Sequence, residues 1–217
     1  MSTAVEEKLH RIDFMIAEMS LLAGGMVYDA ASTVCTGDTM RADRVQHDEA
    51  QMNDALKRLE FLAMRTAALE VHAAPVQHHI LRAAKTAANI ELIADGASMI
   101  AQHVQPAHAL TTDAAIRDSI IDAAYAVQTL LEQVTDAYVR GDQQVAQQLT
   151  AGDDRVDAAY ARGRQLLSSS MQQHAELANG ITCLLILQQL ELMGDQVVDI
   201  TRWIGYGREK QVTSADN

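Results

Sequence analysis

The sequence states one motif twice. Residues 90–101 read IELIADGASMIA and residues 190–201 read LELMGDQVVDIT, an offset of 100. Glu91 and Glu191, Leu92 and Leu192, Asp95 and Asp195, and Ile100 and Ile200 are identical between the copies. A second pair of blocks lies upstream, where TGDTMRADRVQHDEAQMND at 36–54 aligns with RGDQQVAQQLTAGDDRVDA at 140–158 at an offset of 104. There Gly37 and Asp38 match Gly141 and Asp142, Glu49 falls on Asp153, and Asn53 falls on Asp157. Two ordered blocks at nearly constant offsets predict a duplicated chain whose halves share one supersecondary plan.

Composition sets the class of that plan. Aromatic residues make up only 4% of the 217 residues, Pro occurs twice, and the rest is rich in good helix formers such as Ala, Leu, Met, Gln and Glu. The expected fold is all-α, two tandem antiparallel three-helix bundles with six long helices. Their limits are set at 1–106 and 107–207, with a disordered tail over 208–217. A net charge of −12 without a Lys/Arg run excludes nucleic acid as a direct partner. The amino terminus, MSTAVEEKLH, lacks the basic and apolar regions of a signal peptide. The most apolar run, ITCLLIL at 181–187, falls short of the ~20 residues of a membrane span. Cys35 and Cys183, without C-x-x-C spacing, read as small hydrophobes of a reduced cytosolic protein.

Apolar residues at three- and four-residue steps place the helices. Leu9, Ile12, Ile16, Met19, Ala23 and Met26 form the seam of a first helix at about 4–35, in which Gly24-Gly25 implies close packing. A second helix, about 39–71, follows the Gly37-Asp38 cap, and a third, about 76–104, follows Pro75. His72, His78 and His79 cluster near the turn between them, which reads as a solvated histidine-rich turn, with a metal site as the alternative. Residues 105–113 form the linker to a fourth helix carrying Ile116, Ile120, Ala123, Val127, Leu130 and Val134. A fifth helix is expected at 143–171 and a sixth at 176–204, with Trp203 and Tyr206 plugging the bundle end.

The acids carry the chemistry. In the second half, Asp153-x-x-x-Asp157 and Glu191-x-x-x-Asp195 are two acidic pairs on neighbouring helices, with Asp199 one turn further on. The first half offers Glu49, Asn53, Glu91 and Asp95. Acids four residues apart share one helix face and repel, so such a pair calls for a cation, a partner or water. Carboxylate oxygens without a neighbouring Lys suit hard or borderline ions such as Fe, Mn, Mg, Ca or Zn. Glu49 and Asp153 also occupy seam positions that the spacing reserves for apolar residues. Catalysis finds no support: G-x-S-x-G, Walker, H-E-x-x-H and dinucleotide motifs are missing. The one Glu-x-x-His pair, Glu7 with His10, lies at the amino end.

With these blocks in view, the chain resembles the PhoU family of bacterial phosphate-signalling regulators. The two copies of Leu/Ile-Glu-x-(Ile/Met)-(Ala/Gly)-Asp are similar to its duplicated signature, as are GDDRVD at 152–157 and GGMV at 24–27. The resemblance spans residues 5–205 and implies tandem three-helix bundles whose acidic motifs bind metal clusters. Asp153, Asp157, Glu191 and Asp195 fill the second-half motif, and Glu49, Glu91 and Asp95 most of the first. It further implies a cytoplasmic, non-enzymatic negative regulator of phosphate uptake. Such a protein contacts a phosphate transporter ATPase and a sensor histidine kinase, meets the membrane only through them, and forms a homodimer. Leu92 and Leu192 stand where the signature has Arg, and Asn53 where it has Asp. The residues alone leave two other readings: a carboxylate-rich, di-iron-like metal bundle, or a plain helical adaptor whose acids are solvated.

Overall fold

A computed structural model describes residues 3–69, 73–103, 110, 113–149, 154–171 and 177–205. Its described elements are all helical: α1 Thr3–Thr36, α2 Thr39–Leu69, α3 Ala74–Ala101, α4 Ala114–Arg140, α5 Gln143–Leu149, α6 Asp154–Met171 and α7 Leu177–Ile204. The fifth predicted helix is thus described as α5 and α6, with 150–153 outside the described residues. The predicted tail at 208–217 also lies outside them.

The repeated Gly-Asp pairs turn the chain in both halves. Gly37 and Gly141 take left-handed φ values of 74° and 66°, a region open to Gly at little cost. The following acids cap the next helix: Asp38 Oδ1 accepts from Arg41 N at 3.2 Å, and Asp142 Oδ1 from Val145 N at 3.0 Å. At the start of α4, Asp113 accepts from Ala115 N at 2.9 Å. α3 begins at Ala74, earlier than expected, because Pro75 fits the first helical turn, where no N–H is needed.

The predicted seams form the core. Leu9, Ile12, Ile16, Met19, Ala23 and Met26 are all buried, as are Ile116, Ile120, Ala123, Val127, Leu130 and Val134. Each large apolar side chain taken from water contributes about 1.5–3 kcal/mol, which is what holds helices this long together. α1, α2 and α3 pack on one another, and α4 packs on α6 and α7, which also meet. The halves join through α1 against α4 and α3 against α7. By length and composition α1 and α7 could each cross a membrane, although no uninterrupted run in the sequence is that long. In the fold, part of their apolar surface lines this shared core, including Ile12, Ile16, Leu187 and Val197, while Phe14, Leu21, Ile181, Leu185 and Leu192 are exposed.

Two expectations are corrected here. Gly25 is exposed, and a Cβ there would meet nothing within 4 Å, so close packing does not explain it. At Gly24 a Cβ would stand 3.4 Å from Gln128 Cγ, an ordinary contact. The histidine reading also changes: His78 and His79 lie within α3 and are partly buried, while His72 is outside the described residues. His79 Nε2 donates to Asp13 Oδ1 at 2.9 Å, and Tyr138 OH donates to the same oxygen at 3.0 Å. The Arg82 guanidinium stacks over the Tyr138 ring at 4.8 Å. This polar knot ties α1, α3 and α4 together at the junction of the halves. Trp203 is partly buried with Lys85 Nζ 5.6 Å over its ring, and Tyr206 lies outside the described residues.

Candidate functional site

In the first half, α2 and α3 lie side by side and bring their acids towards one another. Glu49 sits on the α2 seam between buried Val45 and Met52 and is itself half-buried. A charge at such a position needs a partner, and Ser98 of α3 provides one, its hydroxyl donating to Glu49 Oε2. Gln46 Nε2 completes the arrangement, donating to Ser98 Oγ at 2.8 Å and to Ser98 O at 3.1 Å. Burial pushes the Glu91 carboxyl above its ordinary value, and the charges of Asp95, Glu49 and Glu60 raise it further. Asp95 is likewise raised, by burial and then by Glu49. Asn53, one turn beyond Glu49, is half-buried and adds a neutral amide in place of a charge.

The second half repeats this with different weights. Glu191 is half-buried on α7, and its carboxyl is pushed up by burial, then by Asp195, then by Asp157 of α6. Asp157 and Asp195 are exposed. Asp199 is engaged by the Arg202 guanidinium one turn on. Asp153 lies outside the described residues.

The charges of Asp95, Glu49 and Glu60 therefore reach Glu91 and that of Glu49 reaches Asp95, while in the second half those of Asp195 and Asp157 reach Glu191. Coulomb repulsion reaches further than a coordination bond. Among the described residues no group of three or more His, Cys, Asp or Glu side chains is placed to hold one metal ion. The donor chemistry suits a hard cation, but Glu49 is held by Ser98 and Asp199 by Arg202. Each engagement takes one carboxylate oxygen, Oε2 of Glu49 and Oδ1 of Asp199, and leaves the other oxygen as a potential ligand. Ser98, Gln46 and Glu60 belong to this site although the acidic-pair pattern does not include them. The available signal was Ser98, one turn past Asp95, in a helix otherwise lined there by Ala and Ile.

The comparisons with known proteins agree with this duplicated helical plan. The family model described as the PhoU domain matches twice, over residues 16–104 and 120–204. The chain is 24% identical over 205 residues to a phosphate-specific transport system accessory protein PhoU homolog of Rhizobium meliloti, covering 94% of this chain and 86% of that one. It is 29% identical over 200 residues to the protein so described in Xylella fastidiosa, covering 90% and 82%. Among solved structures it is similar in fold to PhoU from Pseudomonas aeruginosa, with a TM-score of 0.84 at 22% identity, covering 93% of this chain and 97% of that one. It is also similar to the phosphate transport system regulatory protein PhoU from Streptococcus pneumoniae, with a TM-score of 0.81 at 16% identity, covering 93% and 95%. Matched by one family model in both of its halves, the chain belongs to the PhoU domain family.

Proposed function

We propose that this chain is a cytoplasmic, non-enzymatic negative regulator of phosphate uptake and phosphate-starvation signalling. It acts by contact with a phosphate transporter ATPase and a sensor histidine kinase, as a homodimer. The observation that carries this reading is the double family match, joined to relatives named as accessory proteins of a phosphate-specific transport system. The lack of any recognised catalytic motif in the sequence supports a role through binding. Co-purification tests it: the tagged chain, expressed in its own host in phosphate-rich medium, retains the transporter ATPase or the sensor kinase. Recovery of neither partner would leave the plain adaptor reading in its place.

The acidic pairs supply the metal-dependent part of the proposal, with Fe, Mn, Mg, Ca or Zn as candidate ions. Repulsion of Glu91 by Asp95 and Glu49, and of Glu191 by Asp195 and Asp157, supports it, because a bound cation would relieve that repulsion in each half. Oxygen sites gain affinity with each charged ligand. Asp157 in place of Asn53 therefore favours the second half, with Asp153 and Asp199 as further acids there.

A further inference from the structure

The chain contains two phenylalanines, and neither is in the core. Phe14 of α1 and Phe61 of α2 are 63% and 60% exposed, and both line a groove of about 1310 Å³ between those helices. The partly buried Leu22 and Leu62 also line it. Two exposed aromatic rings lining one groove together with Leu22 and Leu62 form an apolar patch of the kind that marks an interaction surface.

Charge narrows the occupant. On a chain of net charge −12, Lys8, Arg11, Lys57 and Arg58 line this groove and Glu18 is the one carboxylate among the lining residues. Lys57 lies 3.9 Å from Asp54 in an exposed pair, worth little in water. Lys8, Arg11 and Arg58 have no ion-pair partner among the described residues. Arg65 adds a further cation 5.6 Å over the Phe61 ring. The groove exceeds the roughly 300–1,000 Å³ of small-molecule sites. Its length along two antiparallel helices suits instead a helix about 10 Å across, laid in with its apolar face down.

We propose that the α1–α2 groove is a docking site for an acidic amphipathic helix of a partner protein, with Phe14 and Phe61 as apolar anchors and Lys8, Arg11 and Arg58 as the cationic rim. An anionic membrane is disfavoured because the rings line a concavity between two helices, which a helix fills and a flat bilayer does not. A second copy presenting the same face would set these cations against one another. The inference does not rest on the phosphate-regulatory reading. A groove that binds such a helix while gene deletion leaves phosphate-responsive genes unchanged would separate the two.

The test is selection of a random 16-residue peptide display library on the full immobilised chain, followed by affinity measurement on the recovered peptides. The expected peptides carry apolar residues at i, i+3 or i+4 and i+7 flanked by Asp and Glu, and bind more weakly as salt is added. Phe14→Ala with Phe61→Ala, and separately Arg11→Glu with Arg58→Glu, each weaken binding at least tenfold. All four side chains line the surface groove, so unchanged thermal melts are expected to accompany the loss. Failure to enrich peptides, recovery of neutral or basic ones, or affinity untouched by both variants overturns the proposal. So does binding to phosphatidylcholine–phosphatidylglycerol vesicles that the same variants abolish, which would make the surface a membrane contact. A drop in oligomer mass in those variants would make it a self-interface and overturn it equally.

Discussion

We predict that Gly163→Ala destabilises the fold while Gly25→Ala stabilises it, although both sites are helical glycines. In a helix interior Ala is better than Gly by about 1 kcal/mol, and both variants gain this term. The difference lies in the space around the new methyl group. At Gly25 nothing stands within 4 Å. At Gly163 the Cβ would overlap the side chain of Leu187, which is fully buried, so the leucine can move only by displacing packed neighbours. Overpacking of this kind costs about 1–3 kcal/mol, so the two variants should differ by about 2 kcal/mol. For a chain of this size 1 kcal/mol moves Tm by about 2–4 °C, which puts the two melts about 4–8 °C apart with wild type between them. Circular dichroism melts of the three proteins at one pH decide it. Equal Tm values for the two variants would refute the packing of α6 on α7 described above.

Other predictions follow from the polar groups. The folded-state carboxyl of Glu91 is raised, so its charge opposes folding above that pKa, and the penalty fades as pH falls through it. Glu91→Gln is therefore more stable than wild type near pH 7, and the advantage closes below the ordinary value of 4.5; denaturant unfolding at several pH values reads this out. Tyr138→Phe removes a buried hydrogen bond to Asp13 and costs about 1–2 kcal/mol by the same assay. Elemental analysis after loading with Fe or Mn should find the second half filled first, with Asp157→Asn lowering its occupancy and Asn53→Asp raising that of the first half. Equal occupancy in both halves, or metal in neither, would mark the acids as a solvated helix edge.

The sequence was most informative where structure is local. Gly37-Asp38 and Gly141-Asp142 announce helix ends because left-handed φ and side-chain capping each depend on one or two residues. The α1 and α4 seams were readable because burial on a helix follows its period. The acidic positions were readable from repetition, and the charge coupling of Glu91 with Glu49 follows from packing α2 on α3. What sequence could not show is contact between distant segments. Asp13 meets His79 and Tyr138 from 66 and 125 residues away, and nothing near Asp13 signals either partner. Gly25 misled for a related reason: a helical glycine suggests close packing, but only the fold shows whether a neighbour is there. Phe14 and Phe61 stand off the buried seams of α1 and α2, and only the fold shows that both line one groove.

The most direct test of the regulatory role is expression of phosphate-starvation genes in the native host, grown in phosphate-rich medium, with the gene deleted and then restored. A negative regulator gives derepression in the deletion strain, measured as transcript or reporter level, and repression on restoring the wild-type chain. Starvation genes that stay repressed without the chain would contradict it.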